Sequence, residues 1–319
     1  MRETVISVNS MQSKRYHLGC QSVRRSTFSD ANNKRPYQIY QDLFYQLLDR
    51  TQKIAPRHKI KINRNLYLLD ATTIDLCLTL FPWARFRKTK SAVRLHTLMQ
   101  ADGSLPVFLN ITDGNVHETK AAKFIPIPKE SYLAIDRSYH DFDQYNTYIK
   151  NNIRFVTRMK TNAEYQMIST NKTDLGSPVT SDEIIEFTGF YMHQKCPHPF
   201  RKICYFDQGQ DKHLIFLTND IENTAQVIAD IYKARWDIEL FFKTIKQNLK
   251  IKRFFGTTRN AVLTQVWIAM MAYLMISFTK FCMRPDFQFS NFSGSFRLMS
   301  LNGNRSKIWY NTKSLNHPV

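Results

Sequence analysis

Three carboxylate residues stand at positions from which they could act together on a phosphodiester bond. Asp70 ends the apolar run Leu66–Leu69, and Asp136 ends the apolar run Tyr132–Ile135. Glu239 lies further along, in a stretch whose pattern predicts a helix. A single aspartate at a strand end is more often a turn or capping residue than a catalytic one. Two of them on strands that could be neighbours favour a site, because rigid strands place side chains accurately at a sheet edge.

The predicted helix around Glu239 has two different faces. At 100° per residue, the polar side chains of one face fall within about 60° of one another, and they are Tyr232, Arg235, Glu239 and Lys246. The opposite face is apolar and consists of Ile231, Trp236, Ile238, Phe241 and Ile245. A solvated, ion-paired surface helix is the alternative interpretation, with Arg235 and Glu239 as an i,i+4 pair. The apolar face favours a helix that docks on a core and turns its polar side chains toward a groove.

Three carboxylates at one end of a sheet could hold two Mg²⁺ ions, because Mg²⁺ prefers hard oxygen ligands. Two such ions can activate the nucleophile and stabilise the leaving oxygen when a phosphodiester is cut or joined. The cations beside Glu239 would bind DNA phosphates, Arg235 through two parallel hydrogen bonds and Lys246 as a point charge. Tyr232 would hydrogen-bond a phosphate or stack on an unpaired base.

The overall charge points to the same kind of partner. The 319 residues carry a formal net charge of +19, and phosphate backbones are the commonest partner for such an excess. Acidic membrane surfaces and simple solubility are the alternatives. Residues 1–64 hold 13 Lys and Arg against 4 Asp and Glu, so this part is expected to be a basic, partly disordered leader that contains one helix.

Cysteine usage and hydropathy bear on the cellular compartment of the protein, on zinc binding and on whether the chain contains a membrane span. The five cysteines are odd in number and include no CxxC pair, which favours a reducing, cytoplasmic compartment over a disulfide framework. The grouping of Cys196, His198 and Cys204 near His193 matches no common zinc-finger spacing. The apolar segment Val262–Phe281 is expected to be a buried core helix rather than a membrane span, because its strongly apolar part is too short.

The periodicity of the chain predicts an α/β fold. Residues 1–36 show little regular pattern, and a helix is expected over Tyr37–Ile54. From residue 65 to 160 the order reads β-β-β-α-β-α-β, with Asp102-Gly103 as a hairpin turn between the second and third strands. Residues 161–220 read as β-rich, residues 221–283 as helical, and residues 284–319 as an irregular tail.

The spacing Tyr232-x2-Arg235-x3-Glu239-x6-Lys246 resembles the YREK signature of DDE transposases of the insertion-sequence-four superfamily. Neighbouring segments resemble the same family in the expected order, and they are "LDATTI", "TDGNVHE", "IDRSYHDF" and "FLTND". The resemblance extends from about residue 16 to about residue 283.

The resemblance implies an RNase H-like fold, with a mixed five-stranded sheet flanked by helices and a β-rich insertion (161–220) before the last catalytic helix. It implies that Asp70, Asp136 and Glu239 bind Mg²⁺, two ions in number, for which Mn²⁺ can substitute. Tyr232, Arg235 and Lys246 would contact transposon-end and target DNA. The expected assembly is a homodimer on paired ends in a bacterial, nucleoid-associated setting, with no membrane contact.

Two parts of the chain depart from this family pattern. The separate N-terminal DNA-binding module usual in the superfamily is expected to be missing, and the sequence after Arg284 loses the apolar pattern of the family. Two hypotheses follow. The chain either catalyses metal-dependent cleavage and strand transfer, or it is a catalytically silent remnant that only binds DNA or inhibits the full-length enzyme.

Overall fold

The computed structural model describes residues 2–17, 19–160, 162–174, 176–249, 251 and 254–283. The chain divides into two compact units, and the larger one runs from Pro36 to Pro285. The predicted irregular tail, residues 284–319, lies outside the described residues.

The N-terminal residues, for which the sequence showed little regular pattern, contain three helices. They are α1 (Arg2–Ser10), α2 (Gln12–Arg15) and α3 (Arg25–Lys34), and none contains a buried residue. The Asn9 side chain donates to the Val23 carbonyl at 3.0 Å and accepts from the Val23 N–H at 2.9 Å. The two bonds join α1 to the segment that precedes α3.

The larger unit begins with α4 (Gln38–Gln52), which matches the helix predicted over Tyr37–Ile54. This helix packs against the long C-terminal helix α10 (Arg259–Cys282). The ring centroids of Phe44 and Trp267 are 5.2 Å apart at this contact.

Four strands follow α4. They are β1 (Leu66–Leu76), β2 (Arg85–Arg87), β3 (Lys90–Gln100) and β4 (Leu105–Asp113). The predicted turn between β3 and β4 is confirmed, with Gly103 at φ 65°. A side chain at this position would also collide with Ala55 and Phe281, so glycine is required for both reasons. The short strand β2 was not predicted.

Two parallel strands then complete the predicted order. Between β4 and β6 the elements are α5 (Glu118–Ala122), β5 (Tyr132–Ile135), α6 (Phe142–Lys150) and β6 (Arg154–Arg158). Strand β5 pairs in parallel with β1 and with β6. The β-β-β-α-β-α-β pattern read from the sequence is therefore confirmed, with β2 as an addition.

The later strands are β7 (Tyr165–Thr170), β8 (Val179–Phe187), β9 (Phe200–Asp207) and β10 (Lys212–Thr218). The segment after Gly189, expected to continue as a strand, is the helix α7 (Phe190–Lys195). Because β10 pairs with β6 as well as with β9, the described strands form one mixed ten-stranded sheet in the order β2-β3-β1-β5-β6-β10-β9-β8-β7, with β4 on β3. This sheet is larger than the five strands expected.

Alternate residues of the central strands face two different layers. One set packs with the tyrosines of α6, and it comprises Tyr67, Leu69, Leu133, Ile135, Phe155 and Leu217. The other set lies toward α8 (Ala225–Ala234), which contacts β5, β6 and β10. Asp70 and Asp136 continue this second set, since side chains two apart on a strand share a face. They therefore lie on the side of the sheet that carries α8 and α9 (Trp236–Gln247).

A buried ion pair joins two of the outer strands. Arg201 on β9 donates to both oxygens of Asp182 on β8, at 2.8 and 2.6 Å, and both residues are at most 5% exposed. The same guanidinium donates to the carbonyls of Asp220 and Asn223, in the loop that leads into α8. The outer strands are thus bonded to the segment that precedes the candidate catalytic helices.

Helix α10 is the one helix in the described part of the chain that is long and apolar enough to cross a membrane by length and composition. In its most apolar segment, 67% of the residues are buried inside the protein, as the interpretation as a core helix requires.

Candidate active site

The end of the paired part of strands β1 and β5 positions the two aspartates side by side. The last pair in the parallel register is Leu69 with Ile135, and Asp70 and Asp136 are the residues that follow. Neighbouring strands are about 4.8 Å apart. The structure therefore brings together two residues that are 66 positions apart in the sequence.

Asp70 is a largely buried carboxylate with two different partners. Its Oδ1 accepts the N–H of Ala71 at 2.7 Å, and its Oδ2 accepts from the guanidinium of Arg235 at 3.1 Å. Burial raises the pKa of Asp70 to about 7, and the charges of Asp136 and Glu239 act in the same direction, whereas Arg235 acts against them. Because burial penalises the ionised form, this carboxylate needs a cation beside it to stay charged at neutral pH.

Asp136 makes a different contact, with the turn that follows it. Its Oδ1 accepts the N–H of Ser138 at 2.9 Å and so caps the 3₁₀ turn Arg137–Tyr139. The capping role is the ordinary one for an aspartate at a strand end. In this position it still contributes to the electrostatics of Asp70.

The predicted single helix from Tyr232 to Gln247 is two helices. α8 ends at Ala234, Arg235 forms the junction, and α9 begins at Trp236. At the junction the N–H of Arg235 bonds to the carbonyl of Tyr232 at 3.1 Å, which is the tighter spacing of a 3₁₀ turn. Arg235 itself keeps α-helical dihedral angles, φ −55° and ψ −26°.

Arg235 bridges two of the three carboxylates. Its Nη2 donates to Glu239 at 2.7 Å, while its Nη1 donates to Asp70 at 3.1 Å. The side chain is only 11% exposed, and its guanidinium carbon lies 5.4 Å from the centre of the Tyr232 ring. The i,i+4 ion pair expected for a solvated face is present, but it belongs to a largely buried cluster that includes a strand residue.

Two aromatic residues differ from their predicted positions. Trp236, predicted to lie on the docking face, is 56% exposed. At 100° per residue it falls about 160° from Ile238 and about 140° from Phe241, so the helix itself turns it away from the buried side chains. Tyr232 is only 7% exposed, with its ring 5.0 Å from that of Phe216. In this conformation Tyr232 supports Arg235 and offers no free face on which a base could stack. Ile231, Ile238, Phe241 and Ile245 are buried as predicted.

A cavity of about 340 Å³ opens beside the carboxylates. Its lining residues are Asp70, Ala71, Thr72, Glu239, Phe242, Lys243, Lys246 and Gln247. Lys246 thus lies at the same opening as Asp70 and Glu239, together with Lys243, which sequence reasoning did not single out. Asp70, Glu239 and Lys246 come together at the cavity, whereas Asp136 and Tyr232 do not line it.

The side chains do not form a ready-made metal site. Among the residues that the structure describes, no three His, Cys, Asp or Glu side chains lie close enough together to hold a metal ion as they stand. Asp136 is engaged with Ser138, and Arg235 bonds to the other two carboxylates. The donor types nevertheless fit Mg²⁺, because all three are hard carboxylate oxygens, and Asp70 and Glu239 already share one cation.

Sequence reasoning missed a group of three hydrogen-bonded polar residues near the site, Tyr139, His96 and Thr112. The hydroxyl of Tyr139 lies 3.3 Å from Nδ1 of His96, and Nε2 of His96 lies 3.2 Å from the hydroxyl of Thr112. Burial lowers the pKa of His96 to about 4 and raises that of Tyr139, which Asp70 raises further. No spacing in the sequence could indicate this group, because its members come from different strands and turns.

Comparison with known proteins identifies the chain. The sequence profile of the family described as "Transposase DDE domain" matches residues 62–275. The chain belongs to the DDE transposase family. This range includes every residue of the candidate site, and the ten-stranded mixed sheet with flanking helices accords with a DDE domain.

Several transposases are similar to this DDE domain. A probable transposase for insertion sequence element IS5377 from Geobacillus stearothermophilus is 28% identical over 253 residues, which cover 79% of this chain and 66% of that protein. A putative transposase, y4zB, from Sinorhizobium fredii is 30% identical over 255 residues, covering 78% and 69%. A putative transposase for element IS4SA from Synechocystis is 26% identical over 281 residues, covering 85% and 76%. The chain thus matches about two thirds of the length of the first two relatives.

Proposed function

We propose that this chain is a DNA transposase that cuts and rejoins phosphodiester bonds at the ends of an insertion sequence. The observation that carries the proposal is the arrangement at the cavity, where Asp70 and Glu239 share one guanidinium and Lys243 and Lys246 line the same opening. Buried carboxylates beside surface cations suit a site that binds divalent metal ions and phosphate together.

The proposed roles follow from the side-chain chemistry. Asp70, Asp136 and Glu239 would hold Mg²⁺, or Mn²⁺ in its place. The metal ions would supply Lewis-acid activation of the attacking and leaving oxygens. Lys246 would bind a phosphate of the DNA as a point charge, and Arg235 would bind one through its planar guanidinium. Tyr232 would orient Arg235, against which its ring lies.

The proposed domain division assigns this chemistry to one part of the chain. Residues 65–160 and 221–283 would form an RNase H-like core, residues 161–220 a β-rich insertion, and residues 1–64 a basic leader. Transposon ends and target DNA are the proposed substrates, and two copies of the chain would act on paired ends in the cytoplasm.

Cleavage of DNA tests the proposal directly. The purified chain should cut a duplex that carries its own element end and flanking sequence, in the presence of Mg²⁺ or Mn²⁺ and not in EDTA. Denaturing gel electrophoresis of an end-labelled strand would locate the cut. Binding of the duplex without cleavage under either metal would contradict the proposed activity.

A second candidate function is DNA binding without catalysis, and the ion pairs of Arg235 favour it. The guanidinium of Arg235 occupies one oxygen of Asp70 and one of Glu239, so it competes with a metal ion for these carboxylates. If the chain is an active enzyme, this cation must move to phosphate when DNA binds.

Replacing Arg235 by methionine tests whether this cation competes with metal ions at the site. Removing the competing cation is expected to raise the affinity of the DNA-free protein for Mn²⁺ by about tenfold, because each 1.4 kcal/mol of competition removed is a factor of ten. Cleavage is expected to fall by on the order of a hundredfold, since a phosphate ligand is removed. Electron paramagnetic resonance of free Mn²⁺ measures the first effect. An unchanged Mn²⁺ affinity would show that Arg235 does not compete with metal.

A further inference from the structure

A basic hairpin extends the sheet beyond the candidate active site. It comprises the strand β2, the two-residue turn and the first residue of β3, and its four cations are Arg85, Arg87, Lys88 and Lys90. All four are exposed, and none forms an ion pair with any residue that the structure describes. In the sequence the hairpin is the basic segment "RFRKTK", which lies outside the pattern of candidate catalytic residues.

The register of the sheet fixes the distance from the site. β1 pairs with β5 only as far as Leu69, and beyond Asp70 it continues to Leu76 against β3. Leu76 pairs with Ser91, and Ser91 pairs with Arg85. At about 3.3 Å per residue, six residues of strand carry the hairpin about 20 Å past Asp70.

The same register relates the faces of the sheet. Cross-strand partners share a face, and so do alternate residues along a strand. Asp70 pairs with Thr97 on β3, and the alternate positions from Thr97 lead to Ser91, which pairs with Arg85. Arg85 therefore lies on the same face of the sheet as Asp70.

Packing holds the hairpin in place. Phe86 lies over Gly114, where an added Cβ would come within 2.9 Å of the Phe86 ring. The indole of Trp83, just before β2, donates to the carbonyl of Thr257 at 2.7 Å. The Phe81 ring lies 6.1 Å from that of Phe254. A hairpin fixed at its base loses little conformational entropy when its cations bind a ligand.

We propose that the basic hairpin binds the sugar-phosphate backbone of duplex DNA about six base pairs from the scissile phosphate. This rests on the proposed function, because it takes the scissile phosphate to lie beside Asp70 and Glu239. The distance follows from about 20 Å of strand and about 3.4 Å per base pair along one strand of the duplex. Four exposed cations without acidic partners fit a row of phosphates and need no particular base sequence.

The salt dependence of duplex binding tests this inference. In the hairpin variant, Arg85, Arg87, Lys88 and Lys90 are all replaced by glutamine in the full chain. Fluorescence anisotropy with a labelled 30-base-pair duplex of arbitrary sequence gives the affinity at several NaCl concentrations. The slope of log K against log[NaCl] is expected to become shallower by about 0.9 for each phosphate that the variant no longer neutralises.

A charge-matched control separates local binding of phosphate from the change in net charge. The control variant replaces Lys59, Lys61, Lys129 and Lys150 by glutamine. These are four exposed cations whose segments lead into β1, β5 and β6 at the opposite end of the sheet. The hairpin variant should bind at least about tenfold more weakly at 100 mM NaCl than the control variant, as expected when one or more phosphates are no longer neutralised.

Equal reductions of affinity in the two variants would overturn the inference while leaving the proposed function intact. Failure of the unaltered chain to bind duplex at low salt would instead contradict the proposed function. Lys88→Gln alone, at an exposed turn residue, provides a single substitution that leaves the strands unchanged. If the fourfold variant does not fold, Lys88→Gln takes its place in the test. It should still make the slope of log K against log[NaCl] shallower than that of the unaltered chain.

Discussion

Glu239→Gln is expected to slow strand cleavage by on the order of a thousandfold or more, the scale of loss when a member of a catalytic group is removed. Glutamine keeps the length of the side chain and can still accept a hydrogen bond from Arg235. It carries no negative charge, however, and so is a much weaker ligand for Mg²⁺. Single-turnover cleavage of an end-labelled duplex measures the rate, and anisotropy of the same duplex measures binding, which should stay within about threefold.

Asp237→Asn is the matched control for this substitution. It changes a carboxylate to an amide two residues earlier on α9, where Asp237 is half-buried and hydrogen-bonded to Ser104. Burial raises the pKa of this aspartate, and it faces Tyr273 of α10 rather than the cavity. Cleavage should therefore change by only a few-fold. Equal reductions of the cleavage rate in the two variants, or full activity of Glu239→Gln, would show that Glu239 is not a catalytic residue.

Arg201→Met is expected to lower the free energy of unfolding by about 3–5 kcal/mol, the range for removing one partner of a buried ion pair. Asp182 would remain buried with only the amide of Asn171, at 3.0 Å, as a side-chain donor. The two loop carbonyls that now accept from the guanidinium would also lose a donor. Urea unfolding followed by circular dichroism gives the difference.

Two further variants define the cause of that destabilisation. Arg201→Met combined with Asp182→Leu should be less destabilising than Arg201→Met alone, because no unpaired charge stays buried. Lys195→Met breaks the exposed pair with Asp143, whose side chains are 48% and 50% exposed, and should cost less than about 1 kcal/mol. A destabilisation by Arg201→Met no larger than that by Lys195→Met would mean that the buried pair contributes little to the fold.

The parts of the fold that the sequence predicted well are those with strong local patterns. The apolar runs before Asp70 and Asp136 are buried strands, and the Asp-Gly turn between β3 and β4 joins a hairpin as expected. Adjacent placement of the two aspartates followed from their common position after such strands. In each case the information lies within about ten consecutive residues.

The features that sequence reasoning missed depend on long-range contacts. The junction at Arg235 has no glycine or proline to mark it, and the bond from Arg235 to Asp70 joins residues 165 positions apart. The continuity of the sheet depends on β10 pairing with β6, which no local pattern specifies. The exposure of Trp236, by contrast, follows from its place on the helix, about 160° round from Ile238.

Strand β7 has a consequence for the behaviour of the purified protein. It is the last strand at one edge of the sheet. All six of its residues are exposed, and they include Tyr165, Met167 and Ile168. The segment "YQMIST" contains no charge and no proline, two of the features that prevent an open edge from recruiting another chain, and its one irregularity is the register shift against β8 between Met167 and Ser169. In concentrated solutions this edge is a template for intermolecular β-pairing and aggregation. A lysine in place of Ile168 would give the strand the gatekeeper that its sequence lacks.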